Sequence, residues 1–229
     1  MDTALVTGAG GGVGIHISRQ LADARYQVSG LARSERSATA LDRAGIRPVR
    51  LDLQTATQEQ LAAAVHGSQA VFFAAGVGFN APVATLEAVD RDAAIRVFRA
   101  AEALGGRRVI LISAYGTESG GPEGYNTGWW KHYYAAKHAA EQALMASTLP
   151  WTILRPGGLT DQPGTGRVQL GTHVPFGDIP RADVAATAIA APATPASAGH
   201  AWSLVSGTAP VTEAVAAAAA GQRERGAGR

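Results

Sequence analysis

Short apolar runs alternate with longer alanine-rich stretches along this chain, and that alternation predicts strands and helices in turn. Strands are expected at 4–7, 27–32, 48–51, 70–74, 108–113 and 151–154, and helices near 13–24, 36–44, 58–65, 86–104 and 128–147. Val71-Phe72-Phe73-Ala74 and Val109-Ile110-Leu111-Ile112 are apolar at every position. A half-exposed strand alternates between apolar and polar, so unbroken runs mark strands covered on both faces. Thr57 with Gln60 three residues later reads as a capping box opening the third helix. Gly105-Gly106 ends the fourth helix and Pro150 the fifth.

After Leu154 the texture changes. Residues 155–178 are rich in Gly, Pro and Thr and are expected to form loops over one end of the sheet. A helix near 181–191, a strand near 201–205 and a helix near 211–220 follow, too little for an independent second domain. The expected fold is α/β: a doubly wound, mostly parallel Rossmann sheet in a single domain over 1–220. Its small C-terminal cap lies within 155–220, and 221–229 forms a fraying tail.

Composition removes several function classes. The chain has 229 residues, 46% of them hydrophobic, enough for one sizeable core. Its 20 cations and 18 anions show no Lys/Arg run that would track a phosphate backbone, so no nucleic acid contact is indicated. The absence of cysteine excludes disulfides, thiolate metal sites and a thiol nucleophile, and suits a reducing compartment. No apolar stretch approaches the ~20 residues of a membrane span. The first strand begins within a few residues of Met1, leaving no room for a signal segment, and a cytoplasmic location is expected. The six histidines show no metal-ligand spacing, so no metal is expected, and no G-x-S-x-G elbow is present.

The chemistry begins at residue 8. Gly8, Gly11 and Gly14 give GxxGxxG directly after a strand and at the opening of a helix. Such a turn needs glycine for three reasons: tight reversal, close backbone approach to a pyrophosphate, and close packing of helix on strand. The helix N-terminal N–H groups then face the anion. A nucleoside-triphosphate loop would need Lys-Ser/Thr after its last glycine, where this chain has Ile15-His16. The second strand ends in Ala32-Arg33-Ser34 with no acid before Glu35. An acid there suits the free ribose hydroxyl of NAD, whereas Arg33 offers a planar fork of donors to a 2′-phosphate and Ser34 adds a hydroxyl. NADP is therefore expected over NAD, the alternative being that Arg33 and Arg36 are two solvated arginines at a strand–helix junction.

Taken in order, these motifs resemble the short-chain dehydrogenase/reductase superfamily. The matching stretches are Thr7-Gly-Ala-Gly-Gly-Gly-Val-Gly14, Gly30-Leu-Ala-Arg-Ser34, Leu51-Asp-Leu53, Phe73-Ala-Ala-Gly76, Leu111-Ile-Ser113, Tyr133-x-x-x-Lys137, Leu154-Arg-Pro-Gly-Gly158 and Arg181-Ala-Asp-Val184. The likeness is greatest to the compact, atypical NAD(P)-binding branch that holds NmrA-like proteins and biliverdin/flavin reductase relatives. It implies a phosphate cradle that includes Gly10, Gly12 and Val13, adenine contacts from Asp52 and Leu53, and passage of Ala74, Ala75 and Gly76 beside the cofactor ribose. Pro156, Gly157 and Leu159 would pass near the nicotinamide. The Arg-Ala-Asp-Val segment reads as structural, with Asp183 near a helix start.

Tyr133 and Lys137 are four residues apart on a predicted helix, hence on one face. A phenol with a pKa of about 10 is a poor proton shuttle near neutrality, and an adjacent ammonium would bring that value down. In the resembling enzymes the tyrosine is the acid/base, the lysine also holds the ribose hydroxyls, and a serine after the fifth strand orients the substrate oxygen. Ser113 stands at that position. Tyr134 lies three residues from Lys137 and on the same side, so which tyrosine faces the cofactor is open, the four-residue spacing favouring Tyr133. The sequence assigns no auxiliary asparagine.

A glycine-rich loop over 116–128 runs into Trp129-Trp130. It reads either as a substrate lid with an aromatic wall, or as a helix start anchored in the core or at a homodimer contact. Phe79, Trp129 and Trp130 are the substrate-side expectations, with His132 and His173 as further pocket positions. Three functions remain: an NADP(H)-dependent oxidoreductase acting on a small carbonyl, quinone or similar acceptor; a non-catalytic NADP(H) sensor; and, more weakly supported, an enzyme like the nucleotide-sugar epimerases.

Overall fold

The computed structural model describes residues 2–226, with side chains described through Gly221. Strands β1 (Thr3–Thr7), β2 (Gln27–Ala32), β3 (Arg47–Arg50), β4 (Ala70–Phe73), β5 (Arg108–Ile112) and β6 (Trp151–Pro156) fall within a few residues of the expected positions. Between them stand α1 (Gly12–Asp23), α2 (Glu35–Arg43) and α3 (Gln58–Val65). Next come α4 (Val83–Leu86), a π-helical segment (Glu87–Ala93), α5 (Ala94–Ala103) and α6 (Gly128–Met145). The capping box at α3 is present: Gln60 N donates to Thr57 Oγ1 at 3.3 Å and Thr57 N to Gln60 Oε1 at 2.9 Å.

The continuous apolar runs follow from burial on two sides. On β4, Phe72 joins one core cluster while Val71 and Phe73 join the other, and on β5 Ile110 and Leu111 divide in the same way. The first cluster is closed by Ile17 and Leu21 of α1, the second by Leu61 of α3, Val97 of α5 and Leu144 of α6. Each such side chain contributes about 1.5–3 kcal/mol on full burial.

From β6 to β3 the sheet order is β6-β5-β4-β1-β2-β3, all parallel. The chain leaves β1 toward β2 and β3, then returns to place β4 on the other side of β1. This reversal opens a crevice at the carboxyl ends of β1 and β4, the place where doubly wound sheets bind ligands.

The C-terminal part corrects one expectation. Residues 155–178 are not all loop: the segment completes β6 and supplies β7 (Gly158–Thr160), β8 (Arg167–Gly171) and the start of β9 (Asp178–Pro180). β10 (His200–Ser206) adds parallel to β6, β8 pairs antiparallel with β10, and β11 (Ala209–Pro210) pairs antiparallel with β8. β7 and β9 form a separate two-stranded sheet. A five-residue strand between Gly166 and Gly171, with Val168 alone fully in the core, leaves too short a pattern to read. α7 (Arg181–Ala193) and α8 (Val211–Gly226) cover the same face as α1. α8 runs past Gly221, where the tail was expected to begin; residues 227–229 lie outside the described residues.

Candidate functional site

The phosphate turn is built of bare main chain. Gly8 adopts φ +67°, and a Cβ there would stand 2.7 Å from the Ala74 carbonyl oxygen and 2.8 Å from Ala75 Cα. A Cβ at Gly14 would overlap the Gly8 carbonyl oxygen. The turn thus folds tightly against both β4 and its own helix, and Gly11 N closes it by donating to Gly8 O at 2.8 Å. Val13 is buried in the core beside it. Thr7 contributes a join that the glycine spacing does not reveal: its Oγ1 accepts from Ala74 N at 3.2 Å and Ala75 N at 3.3 Å.

Beside this turn lies a cleft of about 480 Å³. Its lining brings together Gly8, Gly10 and Gly11 after β1, Arg33 and Ser34 after β2, Asp52 and Leu53 after β3, and Ala75 and Gly76 after β4. Missing Cβ atoms, helix N–H groups and a groove spanning four strand ends fit a dinucleotide. Arg33 is exposed, and no acid pairs with it among the described residues. Ser34 is the N-cap of α2, where its Oγ accepts from Ser37 N at 3.2 Å. Glu35, the acid nearest that strand end, is paired with Arg50. Asp52 Oδ1 accepts from Gln54 N at 2.9 Å, which shapes the turn after β3. Pro156, Gly157 and Leu159 stand apart from this cleft, at the end of β6 and on β7, where a Cβ at Gly157 would overlap the Gly177 carbonyl oxygen.

Lys137 of α6 is 7% exposed, and its Nζ lies 2.8 Å from Oδ1 of Asp90, which is 1% exposed. Asp90 Oδ2 accepts from Val77 N at 3.1 Å. The pair sits directly beneath the cleft: a Cβ at Gly76 would stand 3.0 Å from Asp90 Oδ1 and 3.7 Å from Lys137 Nζ. Asp90 was not anticipated from sequence. Its signal is an acid on the buried stripe of Leu86, Val89, Ala93, Ala94 and Val97, within the π-helical segment. Such segments are frequent at functional sites.

Of the two tyrosines, Tyr133 adjoins the lysine, with Lys137 Nζ 5.7 Å from its ring centroid. Tyr134 is buried beneath the loop, where a Cβ at Gly121 would overlap its ring. Burial, reinforced by Tyr133 and Tyr125, pushes the Tyr134 phenol up to about 12. The expected lowering of Tyr133 is corrected. Burial raises its phenol, the opposing pull of Lys137 comes second, and Asp90 adds to the rise. The ammonium is already shared with a carboxylate, so its net field at the phenol is weak. Ser113 is buried after β5, with its Oγ 3.4 Å from Thr117 Oγ1.

A second buried ion pair fixes α6. Glu141, 0% exposed and one turn beyond Lys137, accepts from Arg155 Nε at 3.1 Å and Nη2 at 2.7 Å. Arg155 Nη1 also reaches Glu118 Oε2 at 2.8 Å. This residue of β6 thereby ties α6 to the loop after β5.

At the outer end, Phe79 stacks on Trp130 at 5.2 Å and meets Trp129 edge-on at 5.3 Å. Trp129 stacks on Tyr133 at 5.4 Å, and its Nε1 donates to Ala81 O at 2.8 Å. Phe79 is 62% exposed while Trp129 and Trp130 are half-buried, so the cluster opens to solvent on its Phe79 side. His132 lies at its edge, 3.9 Å from Glu87, and His173 is exposed near Val174, whose carbonyl accepts from Tyr115 Oη at 2.7 Å. Tyr115 and exposed Phe176 form a second aromatic pair there, which the sequence reading missed.

Residues 8–195 match a family model described as NAD(P)H-binding. Over 190 residues the chain is 36% identical to the uncharacterized sugar epimerase YhfK of Bacillus subtilis strain 168, covering 83% of this chain and 87% of that one. Among solved structures, a Bacillus halodurans protein described as a candidate NAD-dependent epimerase/dehydratase superposes with a TM-score of 0.84 and 27% identity, covering 95% of this chain and 100% of that one. ChuY of Escherichia coli O157:H7, described as an anaerobillin reductase, gives 0.77 and 27%, covering 89% and 97%.

Proposed function

Because the chain belongs to the NAD(P)H-binding family, with the Rossmann architecture of the atypical short-chain dehydrogenase/reductase branch, we propose that it is an NADP(H)-dependent oxidoreductase. Its acceptor is a small carbonyl, quinone or similar compound. The observation that carries this reading is the continuity of the nucleotide cleft with a buried acid–base cluster, through Gly76 to Lys137 and on to Tyr133. A reduced nicotinamide supplies a hydride when bound.

This chain's residues do the rest. Burial keeps the Tyr133 phenol protonated, so it is poised to donate a proton to the substrate oxygen as negative charge develops there. Ser113 orients that oxygen by a hydrogen bond. Asp90 holds Lys137 charged within a dry site and fixes the position of its ammonium next to the cleft. The wall of Phe79, Trp129 and Trp130 favours a flat acceptor and excludes water from one side of it. Arg33 favours NADP over NAD: it is uncompensated by any acid among the described residues, at the strand end where a 2′-phosphate would lie, while Arg50 holds Glu35. The reductase name of the Escherichia coli neighbour accords with this direction.

Tyr133→Phe tests the reading. NADPH consumption across a carbonyl and quinone panel should fall by about 100- to 10,000-fold, with NADPH affinity retained. Unchanged turnover removes Tyr133 from the mechanism. Tight NADPH binding by the wild type with no turnover of any acceptor would favour a redox sensor. The epimerase name of the Bacillus subtilis relative supports a second reading, interconversion of nucleotide sugars without net cofactor change. The elements after β6 pack on the main sheet and offer little room for a sugar-nucleotide lobe.

A further inference from the structure

Arg181 lies across the mouth of α1. It is the first residue of α7, and a Cβ at Gly12, the first residue of α1, would stand 2.7 Å from Arg181 Nε and 3.1 Å from its Cδ. Any larger residue at 12 would therefore displace the guanidinium. The start of α7 is also tied to the later part of α1, with Gln20 Nε2 donating to Ala182 O at 3.0 Å. The turn over 8–14 carries no charged side chain of its own, so α7 delivers a cation to a place where the local sequence supplies only amides. Arg181 Nη1 is meanwhile 2.8 Å from Oδ1 of Asp161, whose side chain is 89% exposed. An ion pair with so exposed a partner is worth roughly 0–1 kcal/mol and exchanges readily. A diphosphate offers the same guanidinium a denser charge and bidentate geometry.

We propose that Arg181 is a side-chain ligand of the dinucleotide's pyrophosphate, and that Asp161 is its resting counter-ion, displaced when the nucleotide binds. The proposal rests on the dinucleotide function above and changes the part assigned to the Arg-Ala-Asp-Val segment. Its aspartate is structural, as Asp183 accepts from Thr165 N at 2.9 Å, Thr165 Oγ1 at 2.9 Å and Gly166 N at 2.8 Å. Its arginine serves the ligand.

The two partners should give opposite signs in calorimetric titrations with NADPH and NADH. Arg181→Gln should weaken both nucleotides alike, by about 10- to 100-fold, the range for a lost charge-assisted contact. Asp161→Asn, at an exposed position, should fold normally and tighten both by about two- to fivefold, since the guanidinium loses its competitor. Wild-type affinity in Arg181→Gln overturns the proposal, as does a loss confined to NADPH, which would move the arginine's partner to the 2′-phosphate. Weaker binding by Asp161→Asn also overturns it, because the ion pair would then be a support for the site. A wild-type protein that binds neither nucleotide would instead overturn the dinucleotide function itself, before either variant is compared.

Discussion

Replacing Asp90 by Asn removes one half of the buried ion pair at the centre of the site. Burial acts most strongly on Lys137 and disfavours its ammonium, but its carboxylate partners, Asp90 foremost, outweigh it and leave the group above the ordinary lysine value. A base whose folded value is raised contributes stability that is complete below the unfolded value and lost only as pH rises through the folded one. The wild type should therefore show no Lys137-linked change in stability between pH 6 and 9. With Asn at 90, burial is opposed only by the weaker partners, and the folded value drops below the ordinary one. The sign then reverses: the variant loses stability as pH falls through the ordinary lysine range, so its deficit is larger at pH 6 than at pH 10. Breaking a buried pair from one side costs about 3–5 kcal/mol. At ~2–4 °C per kcal/mol for a domain of this size, the melting temperature should fall by about 6–20 °C near neutrality. Urea and thermal unfolding across that pH range would measure it, with Asp90→Asn/Lys137→Met as the control. The double variant leaves no unpaired charge and should recover much of the loss. A deficit under about 1 kcal/mol, or no recovery in the double variant, would refute the view that this pair is desolvated and mutually dependent.

Four further outcomes are expected. Tyr133 stays protonated because burial raises its phenol, so a pH profile of kcat for reduction should show no limb assignable to it below about pH 10; a limb near neutrality that vanishes in Tyr133→Phe would contradict this. Gly14→Ala places a methyl group on the Gly8 carbonyl and should cost about 1–3 kcal/mol in overpacking along with nucleotide binding; calorimetry showing wild-type affinity would be inconsistent with the turn described. Arg33→Ala should weaken NADPH by about 10- to 100-fold while leaving NADH nearly unchanged, and equal losses would remove the 2′-phosphate contact. Phe79→Ala should raise KM for flat acceptors with little change in melting temperature, because the ring is largely exposed; a large drop in stability would make the cluster an anchor instead.

What was legible in the sequence was local. The turn at Gly8, Gly11 and Gly14 could be read because its chemistry depends on missing side chains within seven residues, which composition and spacing record directly. Tyr133 and Lys137 could be paired because one helical turn fixes their relation. β4 and β5 could be placed because burial on both faces leaves unbroken apolar runs, whereas β3, Arg-Pro-Val-Arg with no buried residue, carries no such run. Between Tyr133 and Tyr134 spacing gave only a preference, for Tyr133; Lys137 beside the first ring and Gly121 packed on the second separate them.

The sequence by itself determined the doubly wound core, the nucleotide turn and the helix that carries the tyrosine–lysine pair, since each is written in neighbours along the chain. Tertiary structure alone decided that Asp90 lies against Lys137, that Arg155 holds Glu141 and Glu118, that β8 turns antiparallel at the sheet edge, and that Arg181 covers Gly12. Those are relations between distant segments. Their partners are chosen by how layers pack, and an ionisable side chain carries no local mark of the opposite charge that will be buried beside it.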